Sequence, residues 1–180
     1  MNYLKSIVSV AFISLLISCN SEPSLQKYIV DNKENGAFVS VDLPSNILKL
    51  KNGEVSEDVE KTLKTIQKVN FLALQLTDST KELYTLEKEK VKTILKNPRY
   101  KQLVKVHKGK GDLTINYLGD ETNIDEVVIF GSENSKGFAI IRVLGENMNP
   151  ADIAKMTKDI QLDESSNGLG QIGDLIKNMY

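Results

Sequence analysis

Sulfur chemistry is almost closed to this sequence, whose 180 residues include a single cysteine, Cys19. No disulfide can form within the chain, and a thiolate zinc site needs more sulfur than one residue supplies. His107 is the only histidine, which excludes multi-histidine metal sites and leaves one imidazole as a candidate base. Its place among lysines near a strand end suits a surface residue. Neither sign of charge dominates, with 23 Lys and Arg against 24 Asp and Glu, so bulk electrostatics give no dedicated polyanion binder. Stability is left to packing, and the length suffices for one domain with a buried core.

What the chain does have starts at its beginning. Lys5 precedes an 11-residue apolar run, residues 7–17, which closes on Leu16-Ile17-Ser18-Cys19. A basic residue, a short apolar core and a small residue before cysteine read as a lipoprotein signal peptide over residues 1–18. The run is too short to span a bilayer. Cys19 is then the lipidated residue, and residues 19–24 form the lipidated N-terminus and a polar spacer. Cleavage would remove Lys5, the only charged residue before Cys19, and leave 22 basic against 24 acidic side chains. A single acyl chain holds a protein only marginally, so the several chains of a bacterial lipoprotein imply a stable membrane anchor. Asn20 is not the aspartate that commonly signals inner-membrane retention, and Glu22 is the only acid where surface-export signals tend to be acidic. The expected address is the cell envelope, at the outer membrane facing the periplasm.

Residues 25–160 read as one α+β domain. Leu25, Tyr28 and Ile29 fall at helical spacing, and Gly36 stops that helix. Residues 37–43 alternate Val39, Val41 and Leu43 against Ser40 and Asp42, a half-buried strand ended by Pro44. Ser56 is a candidate cap for a helix with the stripe Val59, Leu63, Ile66 and Val69, and the apolar residues 71–76 suggest a central strand. Ser79 and Glu82 have capping-box spacing before a helix carrying Leu83, Leu86, Val91, Ile94 and Leu95. Asn97-Pro98 breaks it. Residues 100–107 fit either a last helical turn or a strand. Strands over 113–118, 124–130 and 138–144, joined by short polar turns, read as an antiparallel meander. Pro150 opens a last helix lined by Ile153, Met156 and Ile160. Residues 161–180 form a polar, Gly-rich tail with room for a short helix. These elements predict a two-layer α+β sandwich with a mixed sheet of about five strands and helices mainly on one face.

The lipobox, Leu25-Gln26-Lys27-Tyr28, the strand beginning at Phe38, and Tyr100, Leu103 and Val106 occur here with Thr114-Ile115-Asn116-Tyr117, Ile124-Asp125-Glu126-Val127-Val128 and the stretch from Phe138 to Gly145. With these residues the chain resembles uncharacterised lipoproteins of Gram-negative bacteria grouped as domain-of-unknown-function family 4252, over about residues 24–160. The resemblance implies an envelope lipoprotein and carries over no catalytic residue.

Four strings invite a chemical reading. Gly168-Leu169-Gly170-Gln171-Ile172-Gly173 matches a dinucleotide fingerprint, but a polar loop precedes it and no room remains for the ribose-binding acid ~20 residues on. Asp163, Ser165, Asn167 and Asp174, with Gly168 between them, have the spacing of a weak calcium loop, although Gly170 and the short Asp174 depart from it. A solvated tail is the simpler reading. Ser24-x-x-Lys27 has the penicillin-interacting pattern but lacks its Lys-Thr-Gly partner and lies beside the lipid anchor. Asp125 and Glu126 are strand neighbours, so they point to opposite faces and cannot form an acid/base pair.

Charge is segregated in one region. Between residues 90 and 111 there are eight basic side chains and no acid; between 112 and 135 there are six acids and no base. Solvated faces are the simpler account. The functional account is a patch at Lys101, Lys105, Lys108 and Lys110 for anionic lipid headgroups or an acidic partner, at ~1 kcal/mol per basic residue. Nucleic acid is excluded by compartment and by the lack of interleaved aromatics. No cofactor is implied. The expected function is a non-enzymatic binding or interaction module with membrane and envelope partners; the alternatives are a carrier of small apolar ligands or a hydrolase of envelope material.

Overall fold

A computed structural model of the chain describes residues 23–44, 48–50, 57–120, 122–149, 151 and 160–162. Helix α1 (Leu25–Asn32) is capped by Ser24, whose hydroxyl accepts the Lys27 amide at 3.2 Å. Its buried stripe is Leu25, Tyr28 and Ile29. The edge strand β1 (Phe38–Pro44) follows, and proline at its end is tolerated where no further strand pairing is needed. A short β2 (Leu48–Leu50) pairs away from the main sheet with β8 (Ile160–Leu162).

Helix α2 (Glu57–Thr65) passes directly into β3 (Ile66–Gln75) with no intervening loop. The predicted helical stripe through Ile66 and Val69 is therefore corrected, because both residues lie in the strand. β3 is central, between β1 and β7, and is buried on both faces from Val69 to Leu74. Helix α3 (Lys81–Leu95) then crosses the sheet. The expected capping box does not form. Thr80 is the N-cap, and its hydroxyl donates to the Gln75 carbonyl at 2.7 Å and accepts the Thr77 amide at 2.8 Å, closing the entry turn instead.

β4 (Lys101–Lys108), β5 (Gly111–Gly119), β6 (Ile124–Glu133) and β7 (Gly137–Met148) form the meander. Residues 101–107 of the ambiguous stretch resolve into β4, the free edge, with Tyr100 just ahead of it. The sheet has six strands in the order β1-β3-β7-β6-β5-β4 rather than five. Its pairings are antiparallel throughout, which corrects the expected mixed sheet. The cause is connectivity: tight turns join only antiparallel neighbours, and the α3 crossover links strands that are not adjacent.

Two cores result. One face of the sheet, with Leu72, Leu74, Val128, Phe130, Phe138 and Ile140, packs under α1 and α3. The opposite face, with Val69, Phe71, Ala73, Ile115 and Val127, meets Leu63 of α2. Two of the three described helices thus share a face. Ile160, expected in a helix, lies in β8, and β8 also crosses the start of the predicted tail at residue 161. Ala151 is helical, while Ile153, Met156 and the remainder of the tail lie outside the described residues.

Candidate functional site

The helix-covered face carries an unusual polar row. Strand register sets Asp42 opposite Asn70 and Asn70 opposite Arg142. The Asn70 amide donates to Asp42 Oδ1 at 2.5 Å, and Arg142 Nη1 donates to Asn70 Oδ1 at 3.5 Å. Arg142 Nη2 donates to Glu126 Oε2 at 2.6 Å. Asn70, Glu126 and Arg142 are all buried. At the sheet edge, Lys33 and Lys68 reach Asp42 at 2.9 and 3.0 Å. Partial burial pushes the Asp42 carboxyl upward, but hydrogen bonds from Lys33, Lys68 and Asn70 outweigh it and hold the carboxyl down at about 2.

The arrangement ties the row to one strand register. A buried ion pair loses solvation it barely recovers, while removing one partner is costly. A one-residue slip of β7 would carry Arg142 to the opposite face, away from both partners. Above the row, burial and the Glu126 carboxylate push the Tyr100 hydroxyl upward in pKa, with the Leu25 amide opposing them. This part escaped the sequence reading. Its signal was present in Arg142, a lone charge inside the apolar run 138–144.

A second polar cluster ties α3 to the β6–β7 turn. Lys88 is buried, and its ammonium donates to Tyr84 Oη at 3.1 Å and Asn134 Oδ1 at 2.9 Å. Tyr84 Oη donates to the Glu133 carbonyl at 3.2 Å. Burial lowers the Lys88 pKa and raises that of Tyr84. Among the described residues no three His, Cys, Asp or Glu side chains gather as metal ligands.

Outside the polar row, α1 and α3 leave a groove of about 510 Å³ between them, lined by Pro23, Lys27, Tyr28, Leu86, Lys90 and Ile94 among others. Tyr28 and Ile94 are buried in its floor, and Leu86 on its wall is 55% exposed. The Tyr28 hydroxyl is pushed up in pKa by burial and by the Glu87 carboxylate.

The sequence-predicted lysines fall along β4 and its turn. Lys101 is in register with Tyr117, and its ammonium stands 5.8 Å from that ring. Lys105 is in register with Thr114, on the other face, because the register shift between Gln102 and Val104 interrupts the alternation that would otherwise set it on the side of Lys101. Lys108 ends the strand, and Lys110 is exposed in the turn. The neighbouring acids have local partners: Asp112 meets His107 Nδ1 at 2.7 Å, Glu133 meets Lys136 at 3.3 Å, and Glu126 belongs to the buried row. His107 is surface-exposed, and at the register shift between Ile124 and Glu126 Asp125 is exposed while Glu126 is buried. Cys19 and the tail residues Asp163, Ser165, Asn167 and Asp174 lie outside the described residues.

The architecture is an α+β domain built on an antiparallel sheet. Residues 28–156 match the family described as Domain of unknown function (DUF4252), and the chain belongs to that family. No curated protein and no solved structure matches it.

Proposed function

We propose that the chain is a lipid-anchored lipoprotein of the cell envelope, a non-enzymatic binding module held at the periplasmic face of the outer membrane. The observation that carries this reading is the order of its N-terminus. A signal-like apolar run ends on the only cysteine, and the first helix begins six residues later at Leu25. Two buried cations have partners within the fold: Arg142 donates to Glu126 and Asn70, and Lys88 to Tyr84 and Asn134. The lysines of the β4 edge offer charge to an acidic envelope protein or to anionic headgroups. In cells, labelled palmitate should enter the wild-type chain and be absent from Cys19→Ser, which should leave the membrane fraction. Wild-type protein that takes up no palmitate and fractionates as soluble would defeat the reading. The α1/α3 groove favours one other role, a carrier of small apolar ligands, for which a stoichiometric small molecule in native mass spectra is the mark.

A further inference from the structure

Two of the three exposed large aliphatic side chains among the described residues, Val30 at 63% and Leu86 at 55%, lie on the helix pair α1/α3. The third, Val106 at 45%, is on the β4 edge. Pro23 and Ser24, just ahead of α1, line the groove between α1 and α3, as does Leu86. Three residues lie between Cys19 and Pro23, so even a fully extended link of four steps holds this part of the lining within ~14 Å of whatever holds Cys19. Charge at the rim is balanced. Lys27 pairs with Asp31 at 2.8 Å, Lys90 with Glu87 at 2.6 Å, and Glu89 with Lys92 at 3.0 Å. The aliphatic stems of Lys27 and Lys90 extend the apolar lining while their ammonium groups can reach the headgroup level.

We propose that the α1/α3 groove is the membrane-facing surface of the domain and takes lipid acyl chains of the bilayer in which the protein is anchored. The inference rests on the reading of Cys19 as the anchor. A free apolar ligand would have to find the groove by diffusion. Bilayer lipid is already within reach, because the short link turns the encounter into an intramolecular one at millimolar effective concentration. Apolar contact of this kind is insensitive to salt, whereas a headgroup contact through the β4 lysines would weaken as salt screens it.

The absence of tryptophan makes the test clean. Leu86→Trp and Val106→Trp each introduce one reporter at an exposed position that the core does not need. The chain beginning at Cys19 is coupled through its thiol to a maleimide-bearing phospholipid in vesicles of phosphatidylethanolamine and phosphatidylglycerol. Lipids brominated along their acyl chains are then added as quenchers. Leu86→Trp should lose at least half its fluorescence, at low and at high salt alike, while Val106→Trp changes by less than a tenth. Quenching of Val106→Trp instead assigns the membrane contact to the β4 edge and overturns the proposal, as does quenching of neither. Because the thioether is made chemically, the result does not depend on lipidation in cells. The anchor reading stands or falls separately on palmitate incorporation at Cys19.

Discussion

The two faces of the sheet are built from the same strands but finished differently. Under α1 and α3, Phe138, Leu72, Leu74 and Ile140 are fully buried, and rings pack in sequence from Tyr28 through Phe38 and Phe138 to Phe130. On the opposite face Val39, Val41, Ile129, Ile141 and Val143 are only partly buried, packed around the buried Val69 and Phe71. Alternation assigns each strand residue to one face, yet the share of stability each face carries depends on what covers it. The polar row lies on the better-covered face. Charge can be locked there because helices exclude water from it, and the same exclusion makes its disruption expensive.

The comparison can be broken most directly at Phe138. Truncation by Phe138→Ala should cost about 4 kcal/mol, through lost transfer free energy and an unfilled cavity. Ile141→Ala, three residues along on the other face, should cost about half as much because that side chain is already partly in water. Equal shifts in urea midpoint for the two variants would show that the faces carry equal weight. Arg142→Met should cost about 3 kcal/mol by leaving Glu126 buried without its cation. Adding Glu126→Leu should recover most of that loss, and a double variant no better than the single one would show that the row contributes more than charge pairing. Asp42 gives the smallest effect, at the exposed end of the row. Its carboxyl is held below its ordinary value of 3.8, at about 2, so the stabilisation is complete above pH ~4 and is lost as pH falls toward 2. Solvent screening limits the contribution to about 1 kcal/mol. Asp42→Asn should therefore cost about that at neutral pH and flatten the decline between pH 4 and 2 in acid titrations followed by circular dichroism.

Much of the architecture was legible where a simple period holds. β1 differs from its predicted span by one residue at each end, and the three meander strands contain the predicted 113–118, 124–130 and 138–144. Legibility failed where the period is interrupted. A register shift between Ile66 and Lys68 brings Ile66 and Val69 into one core, so the stripe begun by Leu63 continues along the sequence with helical spacing. The shift between Gln102 and Val104 likewise breaks alternation in β4, leaving Tyr100, Leu103 and Val106 at three-residue intervals that mimic a helix. The lysine run shows the converse limit. Lys101 and Lys105, four residues apart, would share a face under strict alternation, and the same shift sends them to opposite ones. The groove had no signature at all, since Leu86 reads as one more member of an apolar stripe and its exposure is decided by the distance between two helices.

The direct passage from Thr65 to Ile66 reaches beyond its own segment. β7 runs alongside this junction, with Gly145 in register with Ile66. A β-carbon placed on Gly145 would stand 2.5 Å from the Thr65 carbonyl oxygen and 2.8 Å from the sulfur of Met148. Glycine there is thus a matter of clearance: it is the slot into which the end of a helix fits when it becomes a strand without a turn. The Gly that closes the stretch from Phe138 marks, within β7, a change of secondary structure that takes place in another strand.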